Sequence, residues 1–327
     1  MEYTKLGSSG LHVSRIGLGT WAMGGLLWGG TDENDAVRAI VAAVDHGITL
    51  VDTAPIYGFG TSERIVGSAL KQLGHRDRLV IATKLGLAWD ERGRVRRDAS
   101  AAGMTRELHE SLRRLGTEYV DVYQVHWPDA TVPAEETASA LARLLEQGKI
   151  RAIGVSNYSP EQMDAFRAAA PLHVCQPPYN LFERGIEADV LPYCREHRIG
   201  TLMYGALCRG LLSGRMRAGT TFARDDIRKV DPKFRSPRFE QYLQAVAHLG
   251  VVAAESGHTV LQLAVRWVLD QPGSEVALWG ARNAGQLDTV SGVMGWTLDN
   301  ATRARIDAIV HGAIASPVGP EFMAPPA

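Results

Sequence analysis

Short apolar or β-branched runs alternate with longer segments whose apolar positions recur every three to four residues, almost from one end of the chain to the other. The short runs predict strands at 15–20, 49–52, 79–83, 119–126, 152–155, 173–176, 200–204 and 275–279. Helical spacing fills the intervals at 35–45, 62–71, 106–115, 134–147, 160–169, 187–197 and 260–269. In the second of these Ser62 reads as the N-cap and Glu63 stands in the first turn. Ile65, Val66, Ala69 and Leu70 then form one apolar face. Strand and helix in alternation imply parallel strands joined by crossovers. Such units, repeated around eight strands, predict an α/β fold closed into a (β/α)8 TIM barrel.

Three stretches fall outside the repeat. Residues 2–14 read as an N-terminal hairpin turning through "GSSG" and plugging the base of the barrel. Residues 209–237 form a long polar connection, of the kind that more often serves as a functional lid than as a passive link. It leads into an extra helix near 237–252, and the Pro- and Gly-rich tail from Ser316 is expected to be irregular. No linker-like shift in composition divides the chain, so residues 1–327 are expected to form a single barrel domain.

Composition narrows the classes of function. The chain has 327 residues, 45% hydrophobic and 22% charged, enough to bury a large core. Lys+Arg 35 balance Asp+Glu 36, for a net charge of −1, so nothing in the charge favours nucleic acid or an anionic membrane as partner. Cys175, Cys194 and Cys208 lack C-x-x-C spacing and read as reduced thiols rather than a disulfide framework or zinc site. The opening "MEYTKLGSSG" has no leader-like apolar segment, and no uncharged apolar run reaches about 18 residues. A cytoplasmic protein is expected.

In a closed barrel, catalytic groups stand at the C-terminal ends of the strands. Reading only those ends gives a short polar set. Asp52 closes the second strand and Tyr57 follows in its loop; Lys84 follows the third and His126 closes the fourth. Ser156 and Asn157 follow the fifth, Gln176 closes the sixth, Tyr204 ends the seventh and "WGAR" (279–282) ends the eighth. Each has a bland explanation alone: an aspartate as a turn cap, a lysine on the surface, a histidine satisfied in the core. Together the barrel brings them to one mouth. A tyrosine with a pKa near 10 is a poor proton donor at neutral pH. An ammonium about 4 Å away is worth roughly 4 kcal/mol at an effective dielectric of about 20, which would lower that pKa against the opposing effect of desolvation. In this arrangement Asp52 holds Lys84, Lys84 tunes Tyr57, and His126 orients the oxygen that receives the proton.

Asp52, Tyr57, Lys84 and His126 resemble the catalytic tetrad of the aldo-keto reductases, and "LVDTAPIYGFGTSERIVGSAL" (50–70) resembles that superfamily's signature segment. The similarity runs through "GKIRAIGVSN", "YGALCRGLLSG" and "ALWGAR", and is nearest to the bacterial general stress type of aldo-keto reductase. The resemblance implies hydride transfer between NADPH and a small carbonyl or alcohol substrate, without metal. It implies that Asn157 and Gln176 hold the nicotinamide carboxamide and that Tyr204 stacks on the nicotinamide ring. Thr20, Trp21, Asp52 and Ser156 would line the same pocket. The backbone of Gly205, Ala206, Leu207, Cys208, Arg209 and Gly210 would run along the pyrophosphate, and Gly280, Ala281, Arg282 and Gln286 would meet the adenosine phosphate end. Aromatic rings give a rigid apolar wall, so Trp21 and Trp127 are expected to contact substrate beside Tyr57 and His126, and Trp28 is left unassigned. Two positions depart from the common pattern: "YGALC" (204–208) stands where many relatives read "YSPLA", and Thr289 and Val290 stand where many carry Glu-Asn to contact adenine.

"GLGTWA" (17–22) satisfies the G-x-G-x-x-G/A dinucleotide fingerprint formally, but "MGGLLWGG" follows where the motif needs a helix. A metal-dependent barrel hydrolase would need convergent His or carboxylate ligands, and Lys84 would repel a cation between Asp52 and His126. A regulatory module of the same fold, binding the nicotinamide cofactor and acting through a protein partner, is the alternative from another class. Retention of all four tetrad residues favours the enzyme.

Overall fold

The computed structural model describes residues 1–326. Eight parallel strands close into a barrel in sequence order: β1 (Ile16–Gly19), β2 (Leu50–Asp52), β3 (Val80–Leu85), β4 (Val120–Val125), β5 (Ile150–Ser156), β6 (Val174–Gln176), β7 (Gly200–Met203) and β8 (Val276–Gly280). The register sets the mouth: Gly19 pairs with Asp52, Lys84 with Gln124, and Ser156 with Gln176. Helices α1 (Glu33–Asp45), α2 (Thr61–Leu73), α3 (Ala101–Leu115), α4 (Ala134–Glu146), α5 (Pro160–Arg167) and α6 (Val190–Glu196) follow strands β1 to β6 in turn. Two helices, α7 (Arg238–Glu255) and α8 (Val260–Leu269), separate β7 from β8, and α9 (Asn300–Ala313) comes last.

Two apolar layers hold the assembly together. Strand residues such as Ile16, Ile81, Tyr123 and Ile153 point outward onto the helices. Inward-pointing Leu50, Ala82, Val122, Ala152, Val174, Leu202 and Val276 fill the barrel. The expected hairpin is present, pairing Tyr3–Lys5 with His12–Ser14, and its Leu6, Leu11 and Val13 seal the barrel's base. Gly7 makes that seal possible. Its φ is +49°, and a Cβ there would lie 2.1 Å from the Gly200 backbone nitrogen.

Several details differ from expectation. Ser62 is not the N-cap of α2; that position is Gly60 at φ 88°, and the Ser62 hydroxyl is buried between loops instead. Helix α3 begins at Ala101 with Ser100 as its cap, earlier than periodicity implied, because Gly103 and Thr105 weaken the apolar pattern in the first turns. A second hairpin, Leu87–Trp89 with Val95–Arg97, rises from the loop after β3. After β8 the chain makes two 3-10 turns, Ala284–Gln286 and Val290–Val293, before α9. Gly285, Gly292 and the β-branched Thr289–Val290 pair there are poor helix formers. Among the described residues no helix is long and apolar enough to cross a membrane.

Candidate active site

The strand ends expected to carry chemistry do converge. Asp52 closes β2, and Lys84 on β3 reaches across to it, Nζ donating to Oδ1 at 2.9 Å and to Oδ2 at 2.7 Å. The same ammonium donates to the Thr53 carbonyl at 3.0 Å and lies 3.1 Å from the Tyr57 hydroxyl. His126 follows β4, its ring edge-on to Tyr57 with centroids 5.7 Å apart. Gln176 on β6 donates to Asp52 Oδ1 at 2.8 Å, so the carboxylate is held from two sides.

Tyr57 is placed by its backbone. Phe59, Gly58 and Gly60 all take positive φ, which turns the chain sharply from β2 into α2. Gly58 touches the loop after β1: a Cβ there would sit 2.0 Å from the Gly24 carbonyl oxygen. A Cβ on Gly24 would in turn lie 2.5 Å from the Tyr57 carbonyl carbon. Beneath this contact Ser62 Oγ joins Thr20 Oγ1 at 2.7 Å and Thr53 Oγ1 at 2.9 Å, a knot of buried hydroxyls between β1, β2 and α2. Thr20, expected at the cofactor, is therefore turned away from the cavity, its hydroxyl donating to the Asp52 carbonyl.

The electrostatics correct one expectation. Burial, with the Asp52 charge adding to it, pushes the Tyr57 phenol well above its ordinary range rather than below it. Burial also draws the Lys84 ammonium down, against the pull of Asp52. Tyr57 is thus protonated at neutral pH and touches a cation that favours its ionised form. His126 is pushed well below its usual range by burial first and by Lys84 second, so its imidazole is neutral.

Asp52, Tyr57, His126 and Gln176 line a cavity of about 770 Å³, while Lys84 is fully buried and does not reach it. Trp21, Trp28, Trp127, Leu87, Val95 and Met323 give it apolar walls. Trp28 meets Trp21 edge-on at 5.2 Å. It is also lined by Ser156, Asn157, Gln176 and Tyr204, by Gly205, Ala206, Leu207, Arg209 and Gly210, and by Gly280, Ala281, Arg282 and Gln286. Asn157, at φ 62°, donates to the His126 carbonyl and accepts from the Tyr204 hydroxyl at 2.8 Å. Within this run Cys208 does not line the cavity, and its buried thiol packs in the core. The Arg209 side chain is locked in a buried cluster with Glu183, Asp231 and Lys233, so only its backbone is left for a ligand. Arg282 donates to the Trp28 carbonyl, and its backbone N–H is accepted by Gln286 Oε1 at 2.7 Å. Val290 is buried in the core, and Thr289, just before it, is exposed at the start of the second 3-10 turn.

A dinucleotide fits this lining. A Cβ on Gly280 would meet nothing within 4 Å, so bare backbone faces the cavity where a phosphate could approach. No cluster of His, Cys, Asp and Glu able to hold a metal occurs among the described residues.

Comparison with known proteins agrees with the geometry. Residues 15–311 match the aldo/keto reductase family. Aldo-keto reductase YhdN of Bacillus subtilis is 56% identical over 327 residues, covering 100% of this chain and 98% of that protein. The NADH-specific methylglyoxal reductase of Escherichia coli is 34% identical, covering 86% and 90%. The glycerol dehydrogenase AKR11B4 from Gluconobacter oxydans superposes with a TM-score of 0.89 at 50% identity, covering 98% and 99% of the two chains. An aldo/keto reductase from Klebsiella pneumoniae solved with NADP and acetate superposes at 0.73 with 31% identity, covering 95% and 96%.

Proposed function

The chain belongs to the aldo/keto reductase family, and on that footing we propose that it interconverts small aldehydes or ketones and their alcohols with NADP(H), Tyr57 acting as acid and base. The observation that carries the reading is the contact of the Tyr57 hydroxyl with Lys84 Nζ at 3.1 Å, beside a cavity able to take a dinucleotide. When bound, the nicotinamide supplies the hydride for reduction and takes it up in oxidation. Asn157 and Gln176 would hold its carboxamide, Tyr204 would face its ring, and Arg282 would meet the adenosine phosphate end.

In reduction the Tyr57 hydroxyl gives its proton to the carbonyl oxygen. Lys84 steadies the tyrosinate left behind, an electrostatic aid that a buried site strengthens. Asp52 keeps that ammonium in place. Neutral His126, beside Tyr57, orients the carbonyl oxygen by a hydrogen bond. Trp21, Trp28 and Trp127 exclude water from the reacting atoms and offer apolar contact to the rest of the substrate.

The regulatory alternative predicts cofactor binding without turnover, whereas an intact Asp52–Lys84–Tyr57 chain of contacts is what turnover needs. The test is a single-turnover experiment in which enzyme loaded with NADPH is mixed with a simple aldehyde. Loss of nicotinamide absorbance with formation of the alcohol is expected. Cofactor that binds but stays reduced against aldehydes, ketoses and dicarbonyls would sink the proposal.

A further inference from the structure

Gln124 stands on β4 two residues before His126 and is fully buried inside the barrel. The layer below it is apolar, made by Val122, Ala152, Val174 and Leu202. A primary amide is unfavourable there unless its hydrogen-bonding groups are met. They are met by functional residues. Gln124 Nε2 lies 3.4 Å from Asp52 Oδ1, and Gln124 Oε1 accepts from Gln176 Nε2 at 3.3 Å. The neighbouring strand makes room for this: Gly154 on β5 is in register with Gln124, and a Cβ there would lie 2.7 Å from Gln124 Cγ.

The consequence falls on Gln176. A carboxylate can only accept, so the Gln176 amide must turn its nitrogen to Asp52, which it does at 2.8 Å. Its second N–H goes to Gln124. With both hydrogens engaged, Gln176 has only its amide oxygen left to offer to the cavity it lines. An acceptor there suits the N–H of a primary carboxamide.

We propose that Gln124 is a positioning residue that couples the Asp52–Lys84 pair to the cofactor-facing amide of Gln176, fixing the direction in which Gln176 presents its oxygen. The proposal rests on the hydride-transfer reading above, with the nicotinamide carboxamide as the group received.

Two variants test it. Gln124→Met keeps length and apolar volume but removes both hydrogen-bonding groups. Gln124→Glu keeps an oxygen to accept from Gln176. The charged groups facing position 124 are Asp52 from β2 and Lys84 from β3; β5 presents Gly154, β6 the neutral Gln176, and His126 lies above on the same chain segment. A protonated glutamic acid donates to Asp52 and reproduces the glutamine, whereas the ionised form faces another carboxylate and cannot donate. Expected for Gln124→Met is an NADPH Kd raised roughly five- to tenfold, the equivalent of about one hydrogen bond, at unchanged Tm. Expected for Gln124→Glu is a ratio of its kcat/KM to wild type that climbs as pH falls from about 8.5 to 5.5, while the ratio for Gln124→Met stays flat. Unchanged NADPH affinity in Gln124→Met overturns the proposal. So does a pH-independent ratio for Gln124→Glu, or equal loss in both variants tracking a fall in Tm. Wild-type turnover with NADPH, measured alongside, tests the hydride-transfer reading separately, because the Kd readout needs no turnover.

Discussion

Lys84 and Asp52 meet twice, the one ammonium donating to both carboxylate oxygens at 2.9 and 2.7 Å with neither side chain open to water. A buried pair of this kind is weak evidence for stability, since desolvation offsets much of the attraction, yet breaking one partner is costly. Lys84→Met leaves Asp52 charged and facing Tyr57, whose phenol that charge already pushes up. Reduction needs the protonated tyrosine, so the alkaline limb of the residual activity should move to higher pH, and stability should fall by about 3–5 kcal/mol. Asp52→Asn acts on the same contact but also removes the charge that raises Tyr57, so its limb should move less. A pH–rate series on both, with thermal melts, checks this; unshifted limbs in both would mean that Tyr57 is tuned by something else.

Tyr57→Phe removes the proton donor while sparing the aromatic contacts with Trp21 and His126. The expected loss in kcat is roughly 10²–10⁴, with cofactor affinity little changed. Near-normal turnover in this variant would remove Tyr57 from the mechanism.

Arg282 lines the cavity and has one nitrogen donating to the Trp28 carbonyl at 3.0 Å. Its remaining donors can meet the 2′-phosphate that distinguishes NADPH from NADH. Arg282→Ala should weaken NADPH by roughly ten- to a hundredfold and leave NADH nearly unaffected. Titration of both cofactors against wild type and variant decides the point, and equal losses would show that Arg282 does not read the phosphate.

Glu107 on α3 accepts at Oε2 from the Gly86 N–H at 2.8 Å, just past the end of β3. Burial pushes its carboxyl up to about 8. A carboxyl raised on folding holds its proton in the native state where the unfolded chain has lost it. Its contribution is therefore complete below the unfolded value near 4.5 and declines as pH rises toward about 8, by at most about 1.4 kcal/mol per unit. Glu107→Gln keeps an acceptor for Gly86 and cannot ionise, so its Tm should fall less than that of wild type between pH 5 and 8. Parallel Tm curves for the two proteins would refute the assignment.

Most of the barrel was legible because each strand is a compact apolar run, and because Asp52, Lys84, His126 and Gln176 are polar where such runs stop. What escaped reading depends on contacts distant in sequence. Gln124 sits within a strand, and its partners Gln176 and Asp52 are 52 and 72 residues away. Ser62 looked like a cap because serine precedes glutamate there, yet left-handed Gly60 starts the helix and turns the hydroxyl inward to Thr20 and Thr53. The hairpin of Leu87–Trp89 and Val95–Arg97 has strands of three residues, too short for alternation to register. Helix α9 also escaped reading, although its Asp299 cap stands in the sequence, because Ile306 and Val310 are its only buried positions and make a sparse apolar face.

The contact of Gly24 with Gly58 bears on how this barrel can diversify. Loops at the mouth of such a fold are ordinarily where sequence changes most freely. Here the loop after β1 presses backbone against backbone on the loop that carries Tyr57, so lengthening it or adding a side chain at either glycine displaces the proton donor itself. Divergence toward new substrates is thereby channelled to the other walls of the cavity. The hairpin after β3 and the chain's last described residues, where Val95 and Met323 meet the ligand space through side chains, can be rebuilt without moving Tyr57.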